Sequence, residues 1–339
     1  MFSASTYVAN KLIYAITKGN DYSLKNELDK FQIFGWGPYT PGIFPHIINS
    51  DYDLVHGSTF PSTPSYIAFK ASRQKGIPYI YAPYLHYNLP WILNNYVLKT
   101  MVEKSTALIA RTESEKKYLI KLGGNIKSIF VIPSLFDFND YIYSKLDRKS
   151  AKEDFGFEGN FIILTNPHPL KGGNVTLEAA GRLSKTHSNV TLVSMGNPKR
   201  SFLKKAQNIL KCYPNLKIKN FGWVDNLTKW KLHAAADIFC MPSITDSFGL
   251  SYLDSWANKT PVIGARETSA VDLISDSVDG FLISHNDSGE LLSRLEDLYT
   301  KPSLVTTMGR AGKEKVELKY NSNVIKNLYI EAFEFAISS

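Results

Sequence analysis

From residue 161 onward, short apolar runs alternate with longer amphipathic ones. FIILT (161–165), TLVSMG, KIKNFGWV, IFCMPS, PVIGA and FLIS read as strands, each a brief apolar run bounded by turn-forming residues. Between them, GNVTLEAAGRLSK, SFLKKAQNILKCY and LTKWKLHAAA carry apolar side chains at helical spacing, with Leu177, Ala180 and Leu183 on one face of the first. Three more helical stretches follow FLIS. This alternation predicts a parallel sheet covered on both faces, a Rossmann-like domain whose ligands bind outside the carboxyl ends of the strands. The first half repeats the pattern less regularly, with strands read at YDLVHG (52–57), IPYIYAP (77–83), ALIAR (107–111) and IFVIP (129–133). Residues 136–156 lack strand alternation and read as a link between domains. Residues 31–50, rich in glycine, proline and aromatics, read as a structured loop bordering a site.

Composition narrows the class. A chain of 339 residues suits two domains, and 44% apolar with 21% charged residues is the balance of a globular α/β protein. No apolar run is long enough for a membrane span, and the N-terminus does not read as a signal peptide. The two cysteines, Cys212 and Cys240, read as reduced core residues of a cytoplasmic protein, with no metal site and no cofactor. Residues 1–150 hold 17 Lys+Arg against 11 Asp+Glu, and the remainder 22 against 20, so the excess of positive charge lies in the first half. That excess suits an anionic surface partner. A nucleic-acid partner is not expected, because no recognisable binding motif accompanies the charge.

Candidate chemistry sits in two strand-to-helix loops. TDSFGLSYLDSW (245–256) follows the strand IFCMPS and opens a helix. Gly249 allows close approach of a ligand to the backbone, and the free amides of a first helical turn form an anion site for which a phosphate is the natural guest. Asp254, inside the helix, is placed to accept hydrogen bonds from ribose hydroxyls, and Asp246, in the loop, to hold another hydroxylated group. The plainer account makes Asp246 or Ser247 an N-cap and Asp254 a solvated acid. The second loop, TNPHPLKGG (165–173), sets Lys171 beside Gly172 and Gly173 at another helix start. Two such loops at one sheet edge converge on a diphosphate.

These runs resemble the retaining glycosyltransferases of family 4, the glycosyl transferases group 1, which have the GT-B fold. The matching segments are NPHPLKGG, VSMGNP, NFGWV, ADIFCMPSITDSFGLSYLDSWANKTPVIGA, DGFLIS and HNDSGEL, over roughly residues 160–335. DYDLVHG, GIPYIYAPYLH and the run from ALIARTESEKKYLIKLG to VIPSLFD match more loosely over about 50–138. The resemblance implies two Rossmann-like domains facing a cleft. Residues 1–145 would form a shortened acceptor-side domain, 146–320 a nucleotide-sugar domain, and 321–339 a C-terminal helix packing back towards the first.

It also implies a nucleotide-diphosphate sugar as donor and a glycan, lipid-linked or protein-linked acceptor. Asp246 and Asp254 occupy the positions of two signature glutamates separated by seven residues. By that correspondence Asp254 holds the ribose and Asp246 the donor-sugar hydroxyls, while Ser247 and the amides of Phe248, Gly249 and Leu250 contact sugar and diphosphate. Asn166, His168 and Gly172 border Lys171, which neutralises the leaving diphosphate. Gly222 and Trp223 lie near the base, and His86 faces the donor sugar. Anomeric configuration would be retained by front-face attack without a metal ion.

The chain departs from that pattern in ways that matter. Both signature glutamates are aspartates, each shorter by one methylene. Asn166 stands where the family usually has arginine, so charge compensation falls to His168, Arg111 or Lys199. The family's first strand and glycine-rich loop would lie before Met1, with Ser3, Ala4 and Ser5 as a remnant. A glycosyltransferase-fold binding or regulatory subunit, weak or inactive in catalysis, is therefore the alternative reading. The aromatic stretch 84–104, with Trp91, Leu93, Tyr96, Leu98, Lys99 and Lys104, is a candidate peripheral membrane contact. Asp51-Tyr52-Asp53 imitates a metal-binding motif but precedes its strand, and reads as a loop.

Overall fold

The computed structural model describes residues 35–86, 94–137 and 146–339, together with Asp29, Ile33 and Leu89. These fall into two compact units. The first comprises the described residues up to Pro133 together with 325–339, and the second residues 134–324.

In the first unit, strands β1 (Val55–Ser58), β2 (Tyr79–Ala82), β3 (Ala107–Ala110) and β4 (Ile129–Val131) pair in parallel in that order. Helices α1 (Ile43–Ile48), α2 (Thr63–Lys75), α3 (Tyr96–Lys104) and α4 (Glu113–Lys121) accompany them. Every residue of β2 and β3 is buried, and side chains alternate between two cores as a pleated strand requires. Tyr79 and Tyr81 join Phe69, Leu98 and Met101 on one face. Ile80, Ala82 and Ile109 meet Ile325, Ala332 and Ala336 of the C-terminal helix on the other.

The second unit begins with α5 (Arg148–Phe155) and builds a six-stranded parallel sheet. Its strands are β5 (Phe161–Thr165), β6 (Val190–Ser194), β7 (Lys217–Asn220), β8 (Ile238–Met241), β9 (Val262–Ala265) and β10 (Gly280–Ile283), ordered β10-β9-β8-β5-β6-β7. The helices are α6 (Gly173–Leu183), α7 (Arg200–Cys212), α8 (Asn226–Ala235), α9 (Leu250–Ala257), α10 (Ala270–Leu273), α11 (Ser288–Thr300) and α12 (Pro302–Lys319), while the C-terminal helix α13 (Ser322–Ser338) belongs from Ile325 onward to the first unit. Ile162, Leu164, Phe239 and Met241 pack against Tyr252 and Trp256 on one face of the sheet. Ile163, Cys240 and Ile263 pack against Leu177, Leu183 and Leu295 on the other. The chain runs outward from β5 to β7 and then returns to place β8 beside β5. The strand order therefore reverses between β5 and β8, and the loops leaving these two strands border the crevice where doubly wound sheets bind ligands.

Several expectations are corrected. Residues 31–50 include α1 and bury Ile33, Trp36 and Ile47, so this segment contributes to the core of its unit instead of forming only a loop. The segment read as a link contains α5, capped by Asp147 and burying Ala151 in the second unit's core; residues 138–145 lie outside the described residues. Cys240 is buried as expected, but Cys212 is exposed at the end of α7, because Phe202, Ala206 and Ile209 form that helix's inner face. Leu98, assigned above to a membrane contact, is fully buried, since α3 turns Val97, Leu98, Met101 and Val102 inward. Trp91, Leu93 and residues 3–5 lie outside the described residues. Among the described residues no helix is long and apolar enough to cross a membrane.

Candidate functional site

The loops after β5 and β8 meet. Ile244 donates its amide to the carbonyl of Leu170 at 2.9 Å, and Lys171 Nζ lies 2.9 Å from Asp246 Oδ2. Asn166 starts the first loop by accepting the His168 amide on its side-chain oxygen at 2.9 Å. His168 then caps the short 3-10 turn Pro169–Lys171, its Nδ1 accepting from the Leu170 amide. Gly172 adopts φ +81°, and a Cβ there would stand 2.5 Å from the carbonyl oxygen of Pro242. Only glycine lets the two loops come this close. Lys171 is thereby held at the first turn of α6.

The second loop delivers an open helix end. Gly249 is the N-cap of α9 at φ +103°, and no side chain caps the helix. A Cβ at Gly249 would fall 2.6 Å from the ring of Tyr252, whose hydroxyl donates to the Met241 carbonyl at 2.7 Å and fixes the ring under the turn. Phe248 is buried against Tyr320, and its carbonyl accepts from Ser269 Oγ at 3.2 Å. Leu250 is exposed. The capping account of the acids is therefore wrong: Asp246 turns its buried carboxylate to Lys171, and neither it nor Ser247 caps α9. The amides at the start of α9 keep their partial positive charge for a ligand.

Asp254 is no solvated acid either. Its side chain is only 14% exposed, and Lys229 Nζ of α8 lies 3.1 Å from Oδ1. Burial raises the Asp254 carboxyl, and Lys229 opposes that rise. The reading of the sequence passed over Lys229, because a single lysine in LTKWKLHAAA looks like any other on an amphipathic helix. Beneath the pair, His233 is fully buried with Nδ1 2.8 Å from Ser255 Oγ; burial first, then Lys229, pushes it down to about 3, so it is neutral.

The remaining candidates distribute unevenly. Gly222 (φ +64°) carries its loop to the same sheet edge through a bridge to Gly196, and Trp223 beside it is 75% exposed. Lys199 sits at the start of α7 and, after burial, is the next cause that lowers His168. His168 is thus biased to its neutral form and adds little charge, and Lys199 is a further cation near this loop. Arg111 belongs to the first unit and is engaged there. It is buried in the first unit, donating to the Ile132 carbonyl at 3.0 Å and to the hydroxyls of Tyr84 and Tyr329. His86 is half-buried and follows β2, also in the first unit.

The chain is similar to known proteins in sequence and in fold. Residues 149–315, just under half of the chain, match the family model for glycosyl transferases group 1. A D-inositol 3-phosphate glycosyltransferase of Segniliparus rotundus is 25% identical over 225 residues, covering 62% of this chain and 48% of that enzyme. The chain thus spans about half the length of that relative. The putative glycosyltransferase EpsD of Bacillus subtilis is 25% identical over 286 residues, covering 80% of this chain and 73% of EpsD. Among solved structures, Anabaena HepE in complex with UDP and glucose superposes with a TM-score of 0.75 at 19% identity, over 87% of this chain and 82% of HepE. A glycosyltransferase from Rickettsia africae gives 0.72 at 21% identity, over 95% and 85%. The α/β fold with two parallel sheets matches that of GT-B glycosyltransferase structures, and residues 149–315 are similar to glycosyl transferases group 1.

Proposed function

We propose that this protein is a retaining, metal-independent glycosyltransferase that moves a sugar from a nucleoside-diphosphate donor to a glycan, lipid-linked or protein-linked acceptor. The observation that carries the reading is the pairing of the two switch-point loops, which sets Lys171 and the uncapped start of α9 at one sheet edge. Breaking the anomeric C–O bond sends its electron pair to the diphosphate oxygen. A fixed ammonium and a helix N-terminus stabilise that charge where it develops, with little reorganisation. No divalent ion is assigned to the step. The acceptor hydroxyl attacks the same face of the sugar and its proton passes to the departing phosphate oxygen.

Asp246, freed from Lys171 as the diphosphate takes over that ammonium, receives a sugar hydroxyl, and Asp254 receives the ribose. Asn166, Gly172, Ser247 and the amides of Phe248, Gly249 and Leu250 line the diphosphate and sugar, with Gly222 and Trp223 at the base. His86 is assigned to the donor sugar by its place in the sequence. Because HepE is solved with UDP and with UDP-glucose, uridine donors head the panel to be tested.

The test is release of nucleoside diphosphate from UDP-, GDP- and ADP-sugars, with and without EDTA. One donor is expected to turn over in both conditions, and Lys171→Ala to lower that rate by on the order of a hundredfold or more. Loss of turnover in EDTA would remove the metal-independent step. Tight binding without turnover across the panel would make this a donor-binding subunit instead.

A further inference from the structure

Lys229 stands where a cation is locally unfavourable. It occupies the fourth position of α8, near the positive end of the helix dipole, with only the cap Asp225 as an acidic neighbour on its own element. Its ammonium nevertheless turns to α9 and meets Asp254 at 3.1 Å. Among the described residues Lys229 is the one cation paired with this carboxylate, and it engages Oδ1. Asn258 bonds only the Asp254 main-chain carbonyl. Neighbours of the pair include Trp230, whose ring the Lys229 ammonium approaches at 5.8 Å, and the buried His233 and Ser255.

We propose that Lys229 is a positioning residue for the donor's nucleoside end: by binding Oδ1 of Asp254 from α8, it aims Oδ2 at the ribose hydroxyls. The inference rests on the donor reading above for the identity of the ligand. It explains how an aspartate serves where a longer acid would reach further, because a carboxylate anchored by one oxygen presents the other at a defined angle. It also gives the lysine an electrostatic task. Burial favours the neutral acid at position 254, and a protonated carboxyl would lose one of its two acceptor sites. The nearby ammonium opposes that effect of burial.

Two measurements test this. The first needs no ligand: the Asp254 side-chain carboxyl is titrated by carbon-13 NMR in the intact protein and in Lys229→Met. The midpoint in the variant is expected to rise by about one pH unit or more, and Lys229→Arg to restore it. An unchanged midpoint overturns the proposal whether or not the protein is a transferase.

The second is calorimetric binding of UDP, GDP and ADP at pH 6 and pH 8. With the tightest of these, Lys229→Met is expected to bind more weakly at both pH values, because the carboxylate is no longer aimed, and by the larger factor at pH 6, where more of its carboxyl is protonated, while Lys229→Arg stays close to wild type. Wild-type affinity of Lys229→Met at both pH values overturns the positioning role, and an equal loss in Lys229→Met and Lys229→Arg assigns the effect to packing alone and counts against it. A raised carboxyl midpoint in a protein that binds none of the three nucleotides would break the donor reading and leave the Lys229–Asp254 coupling standing without its ligand assignment.

Discussion

The two units end their strands in opposite ways. At the strand ends of the first unit the polar groups are consumed by the protein itself. Both oxygens of the buried Glu115 accept main-chain amides, of Leu85 and of Arg111, each at 2.6 Å. Thr112 caps α4 by accepting the Glu115 amide, and the Arg111 guanidinium ties the end of β4 to Tyr329 of α13. At the strand ends of the second unit the corresponding resources are left open. The start of α9 has no side-chain cap, its cap residue is glycine, and the charges form two lysine–aspartate pairs within reach of solvent. The same architecture is thus closed by side chains in one unit and prepared for an anion in the other. A saturated polar network stabilises the chain; an unsaturated helix end binds something else.

The contrast predicts opposite responses to pH. Burial raises Glu115 to about 7 against the pull of its two amides and of Arg111, so the folded first unit holds a proton that the unfolded chain releases at about 4.5. Stability from this group is greatest below pH 4.5 and declines as pH rises towards 7, by up to about 3 kcal/mol. His233 behaves the other way. It stays neutral in the fold down to about 3, whereas the unfolded histidine protonates below 6.5. Its contribution is present above pH 6.5 and is lost as pH falls towards 3, by up to about 5 kcal/mol. Denaturant unfolding of wild type, Glu115→Gln and His233→Gln between pH 4 and 8 checks both slopes. Each substitution is expected to remove its own slope and leave the other; parallel profiles in all three proteins would erase the distinction.

A smaller effect sharpens the comparison at the open end. Gly249→Ala places a side chain at φ +103° and against the Tyr252 ring, which shifts the first turn of α9. Loss of about 1–2 kcal/mol of stability is expected, together with about tenfold weaker nucleoside-diphosphate binding by calorimetry. The first unit has no comparable position in α4, whose capping rests on the Thr112 side chain. The smallest effect belongs to Trp223, three-quarters exposed. Trp223→Ala should leave the denaturation midpoint within about 0.5 kcal/mol of wild type, and a change in preference among UDP, GDP and ADP would mark it as a base contact.

Much of this was legible before any coordinates. Brief apolar runs between helical patterns located the strands of the second unit, because buried parallel strands must be apolar on both faces; the exposed edge strand β7 followed from its place in the alternation. The two glycine-bearing loops stood out because glycine at a strand-to-helix turn permits conformations and close approaches that other residues do not. Three things were hidden. Arg111 looked like a spare cation, and only the fold shows it spent on Ile132, Tyr84 and Tyr329, residues distant in sequence. Cys212 looked internal because it ends an apolar helical run, yet the inner face is set by Phe202, Ala206 and Ile209. Lys229 carried no local signal at all.

The sequence by itself thus determined the alternation of strands and helices, the two loops and the residue types in them, since those follow from periodicity and backbone chemistry within a few neighbouring residues. The tertiary structure alone decided which charges meet. Lys171 and Asp246 are 75 positions apart and become partners only because β8 returns to lie beside β5. Lys229 and Asp254 meet because α8 and α9 pack side by side on one face of that sheet. An ion pair depends on a few ångströms of space, and distance along the chain carries no record of it.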